Sequence, residues 1–189
     1  MKDSNINVWQ TIKQEPGPDL KLFRVRFDHM VNPRNGRASR MVILEAGDSA
    51  NVVALTPGGR LLFVRQYRFG ISDYTLELPG GIVDHGETHQ AAARRELSEE
   101  TGYLSEHWSY LGSIPSNPVF MEGYIYHWLA EGVEKSTVQQ LDDGESIEVV
   151  SLSLEETRHM LYQGAFLHPH TVNGLLLFFS HWQNQGKDG

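Results

Sequence analysis

The chain has 189 residues, of which 40% are hydrophobic and 21% are charged, so it is long enough to bury one domain core and a small appendage. Its formal net charge of -8 at pH 7 argues against a nucleic-acid partner, because a polyanion is attracted to a net-positive surface. The absence of cysteine excludes disulfides, thiolate metal sites and thiol nucleophiles. The first twenty residues lack an apolar signal core, and the longest apolar run, at 175–179, is too short to span a bilayer. We therefore expect a cytoplasmic protein without a membrane partner.

The first half of the chain has the pattern of β-strands. Residues 20–31 alternate apolar and polar side chains, the turn sequence NPRNG follows, and alternation resumes in RASRMVILEA, which is typical of a hairpin. The runs NVVALTP and RLLFVRQYRF flank a glycine-rich turn and indicate a second strand pair. We predict an N-terminal antiparallel β appendage at residues 1–44 and a larger domain at residues 45–189.

One helix is predicted in the middle of the chain and two at its end. Thr88 is suited to cap a helix that runs to Thr101, and Gly102 is suited to end it. Strand-like segments follow, and then LEETRHMLYQG and the region after Val172 show the apolar spacing of helices. Because strands and helices do not alternate regularly, the order favours an α/β sandwich around a mixed sheet over a doubly wound parallel sheet.

Three glutamates crowd one face of the first predicted helix. Glu96, Glu99 and Glu100 stand at i, i+3 and i+4, where like charges destabilise an isolated helix by about 0.2–0.5 kcal/mol per pair. A solvated acidic face is one interpretation. The other is a site for a hard cation such as Mg²⁺ or Mn²⁺, which prefers oxygen ligands and binds phosphates at the same time. The glycines of PGGIVDHGE, just before the helix, permit the backbone to approach this face and favour the cation site.

The segment from Gly81 to Tyr103 resembles the Nudix box, G-x5-E-x7-R-E-U-x-E-E-x-G-U, in which U is a bulky aliphatic residue. Every fixed position is present, and the single departure is Tyr103 at the last U. The resemblance implies a Nudix-type α/β/α sandwich with a mixed sheet, over roughly residues 45 to 185. It also implies a hydrolase that cleaves a diphosphate linked to another moiety.

The resemblance assigns roles to the box residues. Glu96, Glu99 and Glu100, with the backbone carbonyl of Gly80, would be ligands of a divalent cation, Mg²⁺ or Mn²⁺. Arg95 would orient the glutamates by ion pairing, so Arg95 and Glu99 are the catalytic candidates within the box. Such a cation neutralises the diphosphate and lowers the pKa of a bound water, which can then attack at neutral pH.

A general base is expected on an acidic loop after the box. In Nudix enzymes that resemble ADP-ribose pyrophosphatases, a loop glutamate can take the proton from the attacking water, and QQLDDGESIEVV supplies such a loop. Glu145 is the preferred candidate, because it lies just before the apolar strand SIEVV. Asp142, Asp143 and Glu148 are alternatives, as is an ordinary solvated loop without a catalytic role.

The substrate region resembles that of ADP-ribose pyrophosphatases. Pro118 has the spacing from Gly102 that is seen in that group, and RQYRF carries Arg65 and Arg68, of which Arg68 stands where the group contacts phosphate. Glu77 belongs to the same predicted region, but its motif ELPGG departs from the E-x-P/V-A-G variant common there. We predict hydrolysis of a nucleoside diphosphate sugar, with ADP-ribose favoured. GDP-mannose, ADP-glucose and a non-catalytic nucleotide-binding regulator remain alternatives.

Three further features complete the interpretation. The N-terminal strands resemble the appendage through which this group dimerises, so we expect a homodimer. Glu87 either stabilises the junction between the loop and the helix or contacts a more weakly bound metal. His168 and His170, in the motif HPH, are metal-type residues without a third ligand in view, so we expect no metal there.

Overall fold

The computed structural model describes residues 8–141, 144 and 146–186. The chain divides into two compact units, Met1–Gly47 with Pro115–Gly123, and Asp48–Ile114 with Tyr124–Gly189. The smaller unit therefore includes a segment, 115–123, that the sequence assigned to the larger domain. That residues 1–44 form a dimerisation appendage and residues 45–189 the hydrolase domain stays a prediction.

The smaller unit contains an antiparallel meander of β1 (Gln10–Asp19), β2 (Arg24–Val31) and β3 (Ala38–Glu45). The predicted hairpin is the β2–β3 pair, in which Val31 lies opposite Ala38 across the turn. The sequence prediction did not include β1, because Pro16 and Gly17 interrupt its strand pattern. An irregular register between Pro16 and Asp19 accommodates both residues.

One arginine ties together the segments of the smaller unit. Arg26 donates from Nε to Asp28 Oδ1 at 2.8 Å, from Nη1 to Glu45 Oε1 at 2.7 Å, and from Nη2 to Glu122 Oε1 at 2.7 Å. Arg24 lies 3.7 Å from Glu45 and adds a second positive charge. Because the Asp28 carboxylate is buried, it needs this pairing to remain charged.

The larger unit is built on a mixed sheet. The strands that follow along the chain are β4 (Ser49–Leu55), β5 (Arg60–Arg68), β6 (Asp73–Glu77), β7 (Gly80–Ile82), β8 (Tyr103–Leu104), β9 (His107–Asn117), β10 (Met121–Glu131), β11 (Glu134–Lys135) and β12 (Ile147–Ser153). The order in this unit is β10-β4-β5-β12, in which β10 is parallel to β4 and the other neighbours are antiparallel. β7 pairs with β4, and β6 pairs with β5. These two short strands lead into the site.

Helices cover both faces of this sheet: α1 (His89–Thr101), α2 (Leu154–Tyr162) and α3 (Pro169–Asn184). Alternate residues of β4 point to opposite faces, so Val52 shares a core with Leu97 of α1, while Val53 shares a core with Phe178 of α3. The predicted α/β sandwich around a mixed sheet is confirmed. Within the described part of the chain, no helix is long and apolar enough to cross a membrane.

The helix α1 begins and ends where its capping residues predicted. The Thr88 side chain accepts a hydrogen bond from Ala91 N at 3.1 Å, which satisfies an otherwise unpaired donor of the first turn. Gly102 adopts φ of 75° and donates its N–H to Ser98 O at 2.8 Å, which closes the last turn. A Cβ at Gly102 would also overlap the carbonyl oxygen of Thr137. The helix end is therefore fixed both locally and by the loop packed on it.

Candidate active site

The acidic face of α1 meets the short strand β7. Glu100 is buried, and its Oε2 accepts a hydrogen bond from Gly80 N at 2.8 Å. Glu96 lies so close to Gly81 that a Cβ there would overlap its carboxylate. On the other side, a Cβ at Gly80 would overlap Ala50 O on the neighbouring strand. The two glycines let a strand pass between β4 and the glutamates, which explains why the box needs a glycine at position 81.

Arg95 draws the remaining carboxylates together. Its Nη1 donates to Glu96 Oε1 at 2.7 Å and to Glu99 Oε2 at 3.1 Å, and its Nη2 donates to Ile82 O at 2.9 Å. Glu87 accepts from Nε at 3.2 Å and from Nη2 at 3.1 Å. These bonds raise the pKa of Arg95, with Glu87 as the largest cause, and lower the pKa of Glu87. The repulsion expected among the glutamates is thus offset by the positive charge of Arg95.

Glu87 joins the loop before α1 to the helix. Besides its two bonds with Arg95, its Oε2 accepts a hydrogen bond from Asp84 N at 3.2 Å. Of the two roles considered for this residue, the contacts are those of a junction residue. A contact with a metal stays a prediction.

The predicted cation ligands have the right donor chemistry. Glu96, Glu99, Glu100 and the Gly80 carbonyl are all hard oxygen donors, which suits Mg²⁺ or Mn²⁺. Among residues 8–141, 144 and 146–186, however, no three acidic or histidine side chains already converge on a common metal position. Glu96 and Glu99 are held by Arg95, and Glu100 is held by Gly80 N. Their role as ligands therefore stays a prediction.

The segment before the acidic loop is anchored to the end of α1. Gln139 donates from Nε2 to Glu100 O at 2.6 Å, and Gln140 N donates to Glu99 O at 2.9 Å. The preferred base, Glu145, and its alternatives Asp142 and Asp143 lie outside the described residues. The remaining alternative, Glu148, lies on β12 and pairs with Arg65 at 3.5 Å, with 65% of its side chain exposed.

Arg68 and Glu77 form a bidentate ion pair. Arg68 Nε donates to Glu77 Oε1 and its Nη2 donates to Oε2, both at 2.6 Å. Glu77 is 2% exposed and also accepts from Thr75 Oγ1, whereas 42% of the Arg68 side chain is exposed. Burial raises the pKa of Glu77, but the bonds from Arg68 and Thr75 outweigh it and leave the pKa below its usual value. Glu77 therefore supports Arg68 and does not present its own carboxylate to solvent.

The other predicted substrate residues are separated from Arg68. Arg65 and Arg68 are three positions apart on β5, so their side chains leave opposite faces of the strand. Arg65 lies 5.2 Å from the centre of the Tyr74 ring and pairs with Glu148. Pro118 is exposed in a turn of the smaller unit. Their roles in substrate binding stay predictions.

Several polar residues around Glu77 and beneath α3 were not singled out as site residues. His168 Nδ1 is 3.5 Å from Glu77 Oε2, and Thr171 Oγ1 accepts a hydrogen bond from Leu78 N at 3.1 Å. His127 is entirely buried on β10, and neither of its ring nitrogens has a hydrogen-bond partner among the described residues. Burial lowers the pKa of His127 to about 4, with a contribution from His170. The signal in the sequence was a histidine within the otherwise apolar strand IYHWLA.

The fold is an α/β sandwich with helices on both faces of a mixed sheet. Its acidic site lies where the glutamates of α1 pack against the glycines of β7. The NUDIX domain profile matches residues 46–172, which is more than half of the chain. The chain therefore belongs to the Nudix family, and the resemblance seen in its box is confirmed. At the level of the family, it is a Nudix hydrolase.

The chain is similar to two proteins of known sequence and to one solved structure. The chain is 31% identical over 148 residues to "Methanol dehydrogenase activator" of Bacillus methanolicus, covering 78% of this chain and 80% of that protein. It is 32% identical over 125 residues to "ADP-ribose pyrophosphatase" of Bacillus subtilis, covering 65% of this chain and 66% of that protein. The crystal structure of "ADP compounds hydrolase" superimposes with a TM-score of 0.84 at 21% identity, covering 96% and 98% of the two chains. At that identity the superposition shows the fold alone.

Proposed function

We propose that the protein hydrolyses the diphosphate linkage of a nucleoside diphosphate sugar in a reaction that requires a divalent cation. ADP-ribose is the favoured substrate, with AMP and ribose 5-phosphate as products. The observation that carries the proposal is the packing of the box glutamates against Gly80 and Gly81, which gathers oxygen donors at one edge of the sheet. The name of the relative from Bacillus subtilis supports the choice of substrate.

Glu96, Glu99, Glu100 and the Gly80 carbonyl would hold the cation. A bound Mg²⁺ or Mn²⁺ supplies neutralisation of the diphosphate charge and a water of lowered pKa. Arg95 keeps Glu96 and Glu99 on the side of the helix that faces β7, so fewer side-chain rotations are needed when the cation binds. Glu87 fixes the guanidinium of Arg95 from the other side.

Arg68 would bind the phosphates of the substrate. Glu77 orients its guanidinium through two parallel bonds, and the exposed part of the side chain carries the positive charge to the surface. Arg65 and Pro118 are proposed as further contacts because of their resemblance to the ADP-ribose pyrophosphatase pattern.

Glu145 would act as the general base that takes a proton from the attacking water. Support comes from its flanking chain, because Gln139 and Gln140 tether that chain to the carbonyls of Glu100 and Glu99. A base must come within hydrogen-bond reach of the attacking water, and residues 139 and 140, which precede the acidic loop in the chain, are bonded to the end of α1 that carries Glu99 and Glu100.

The test is product formation by the purified protein with Mg²⁺ on ADP-ribose, ADP-glucose, GDP-mannose, UDP-glucose and a dinucleoside polyphosphate. An EDTA control and a parallel series with Mn²⁺ test the need for a cation. Release of AMP and ribose 5-phosphate, with the highest kcat/KM for ADP-ribose, is the expected result. A higher kcat/KM for another sugar nucleotide would keep the reaction and correct the substrate. No turnover with either cation would contradict the proposed function.

A second candidate is a nucleotide-binding regulator of another enzyme. It is favoured by one observation, the name of the relative from Bacillus methanolicus. The two candidates differ in calorimetry, because a regulator would bind ADP-ribose without releasing AMP. The intact set of box glutamates makes the hydrolase the first choice.

We also infer that two copies associate through the smaller unit. Ile12 on β1 and Val42 on β3 are exposed by 62% and 50%, and Val8, just before β1, is exposed by 78%, so apolar side chains are left to solvent in this unit. Sedimentation equilibrium should give about twice the mass of the chain if the homodimer forms at micromolar concentration. A monomer mass throughout the concentration range would contradict this inference.

A further inference from the structure

We propose that the first turn of α3 positions Arg68 for the substrate, with His168 and Thr171 acting as positioning residues through Glu77 and Leu78. The inference rests on the proposed function in one respect, namely that Arg68 contacts substrate phosphates. It assigns to the C-terminal helix a part in substrate binding that its distance along the sequence from the Nudix box does not suggest.

The first step is the dependence of Arg68 on Glu77. Glu77 is the last residue of β6, which pairs only with β5 among the described residues. Both carboxylate oxygens of Glu77 are used by Arg68, and Thr75 donates to one of them. A bidentate pair fixes the plane of the guanidinium as well as its distance. Any movement of the Glu77 carboxylate therefore moves the charge of Arg68.

The second step is the contact of α3 with Glu77 and Leu78. His168 occupies the N-cap position of α3 without a side-chain capping bond, and its Nδ1 is 3.5 Å from Glu77 Oε2. Thr171, one turn further along, accepts from the buried backbone N–H of Leu78 at 3.1 Å. The positive end of the helix dipole thus faces a buried carboxylate, which is a favourable arrangement. Glu77, the last residue of β6, and Leu78, which follows it, are thus both contacted by the start of α3.

The third step is the closeness of α3 to the strands beneath it. A Cβ at Gly174 would come within 2.9 Å of His127 Nδ1 and would also overlap the Leu78 side chain. The helix axis can lie this near only because residue 174 is glycine. Helix α3 is therefore packed directly against Leu78, the residue that follows Glu77. Within the described ranges β6 pairs with β5 alone, so contact with this helix adds a second restraint at its end.

The fourth step extends the restraint to the cation side of the site. Leu78 is followed by Pro79, whose carbonyl accepts from Val52 N at 2.8 Å, and by Gly80, whose N–H binds Glu100. Thr171 holds the start of this short segment and Glu100 holds its end. A loss at Thr171 should therefore affect both Arg68 and the Gly80 carbonyl. A loss at His168 should affect Arg68 more than the Gly80 carbonyl, because His168 Nδ1 reaches Thr171 Oγ1 only at 3.5 Å.

A double-mutant cycle tests the coupling of His168 to Arg68. We expect His168→Leu to raise KM for the best sugar nucleotide about fivefold, with kcat changed less than about twofold. In the Arg68→Ala background the same substitution should change KM less than about 1.5-fold, because the residue that it positions is gone. His168→Asn should keep the wild-type KM, since asparagine retains a polar side chain and is a favoured N-cap residue. Equal effects of His168→Leu in both backgrounds would overturn the proposal.

Matched variants separate positioning from loss of stability. His159 is exposed on α2, so His159→Leu should leave KM unchanged. Thr171→Val removes the acceptor for Leu78 N, while Thr157→Val removes an equally buried hydroxyl whose bond goes to Ser153 O. A rise in KM with Thr171→Val and none with Thr157→Val is expected. The same rise with both variants would assign the effect to stability.

A second readout does not depend on turnover. In protein labelled with ¹⁵N-arginine and free of substrate, the Arg68 Nε–H signal, assigned with Arg68→Lys, should exchange slowly in the wild type. This proton should exchange with water at least about threefold faster in His168→Leu and at the wild-type rate in His159→Leu. Fast exchange in the wild type, as for an exposed arginine, would overturn the proposal even if His168→Leu fails to fold. If no substrate is turned over, the proposed function fails, and this readout still decides whether α3 positions Arg68.

Discussion

The two arginine networks of this protein use the same chemistry for different ends. In the smaller unit, Arg26 binds Asp28, Glu45 and Glu122, and Arg24 contributes a second positive charge. In the larger unit, three carboxylates of α1 and that of Glu87 in the preceding loop lie around β7. Arg95 binds Glu87, Glu96 and Glu99, whereas Glu100 accepts from Gly80 N. The first network is near charge balance and joins strands. The second retains excess negative charge, which a divalent cation can neutralise.

The largest expected effect comes from removing one charge of the second network. Glu100→Gln should lower kcat at least about 10³-fold, because a buried predicted ligand loses its charge while its shape and its bond to Gly80 N are kept. Circular dichroism should show an unchanged fold. Glu106→Gln makes the same charge change at an exposed position just after α1 and should keep wild-type kcat. Wild-type activity in a folded Glu100→Gln protein would contradict its assignment as a ligand.

Breaking the first network should cost stability and not catalysis. Arg26→Ala leaves Asp28 buried without its partner and should lower the free energy of unfolding by about 3 kcal/mol. Urea unfolding measures this change, and kcat of the folded fraction should stay within about twofold of the wild type. Arg34→Ala, in the exposed turn between β2 and β3, is the control. A large fall in kcat with Arg26→Ala would remove the contrast between the two networks.

The buried histidine His127 is a third case, because neither of its ring nitrogens has a hydrogen-bond partner in the part of the chain that the structure describes. Its pKa in the folded chain is about 4, below the unfolded value of 6.5, so between these pH values the unfolded chain binds a proton that the folded chain does not. Stability should therefore fall as pH falls from 6.5 to 4, by up to about 3 kcal/mol for this residue. His127→Leu should flatten this part of the pH dependence of urea unfolding. His107→Leu, at an exposed position, is the matched control.

The smallest expected effect concerns the acidic loop. Glu145→Gln should lower kcat about 100-fold and raise KM less than about threefold if this residue is the base. Glu148→Gln removes a neighbouring carboxylate that is paired with Arg65 and should change kcat little. A lower kcat in Glu148→Gln with an unchanged kcat in Glu145→Gln would move the role of base to Glu148.

The sequence was most informative where structure depends on near neighbours. The span of α1 followed from Thr88 and Gly102, and the shared face of the glutamates followed from spacings of three and four residues. It was less informative for β1, because a proline and a glycine hide a strand that a bulge accommodates. It also placed Arg65 and Arg68 together in one substrate region, although alternation along β5 turns them to opposite faces.

By itself the sequence determined the Nudix box, the α/β class and the set of oxygen donors, because helix periodicity and capping act within about four residues along the chain. Only the tertiary structure decided that Glu77 is a buried support for Arg68, that Thr171 binds Leu78 across 93 residues, and that Arg26 reaches Glu122 across 96. These contacts depend on which strand ends and helix turns the topology brings together. That choice is made by packing of the whole core, which no short stretch of sequence encodes.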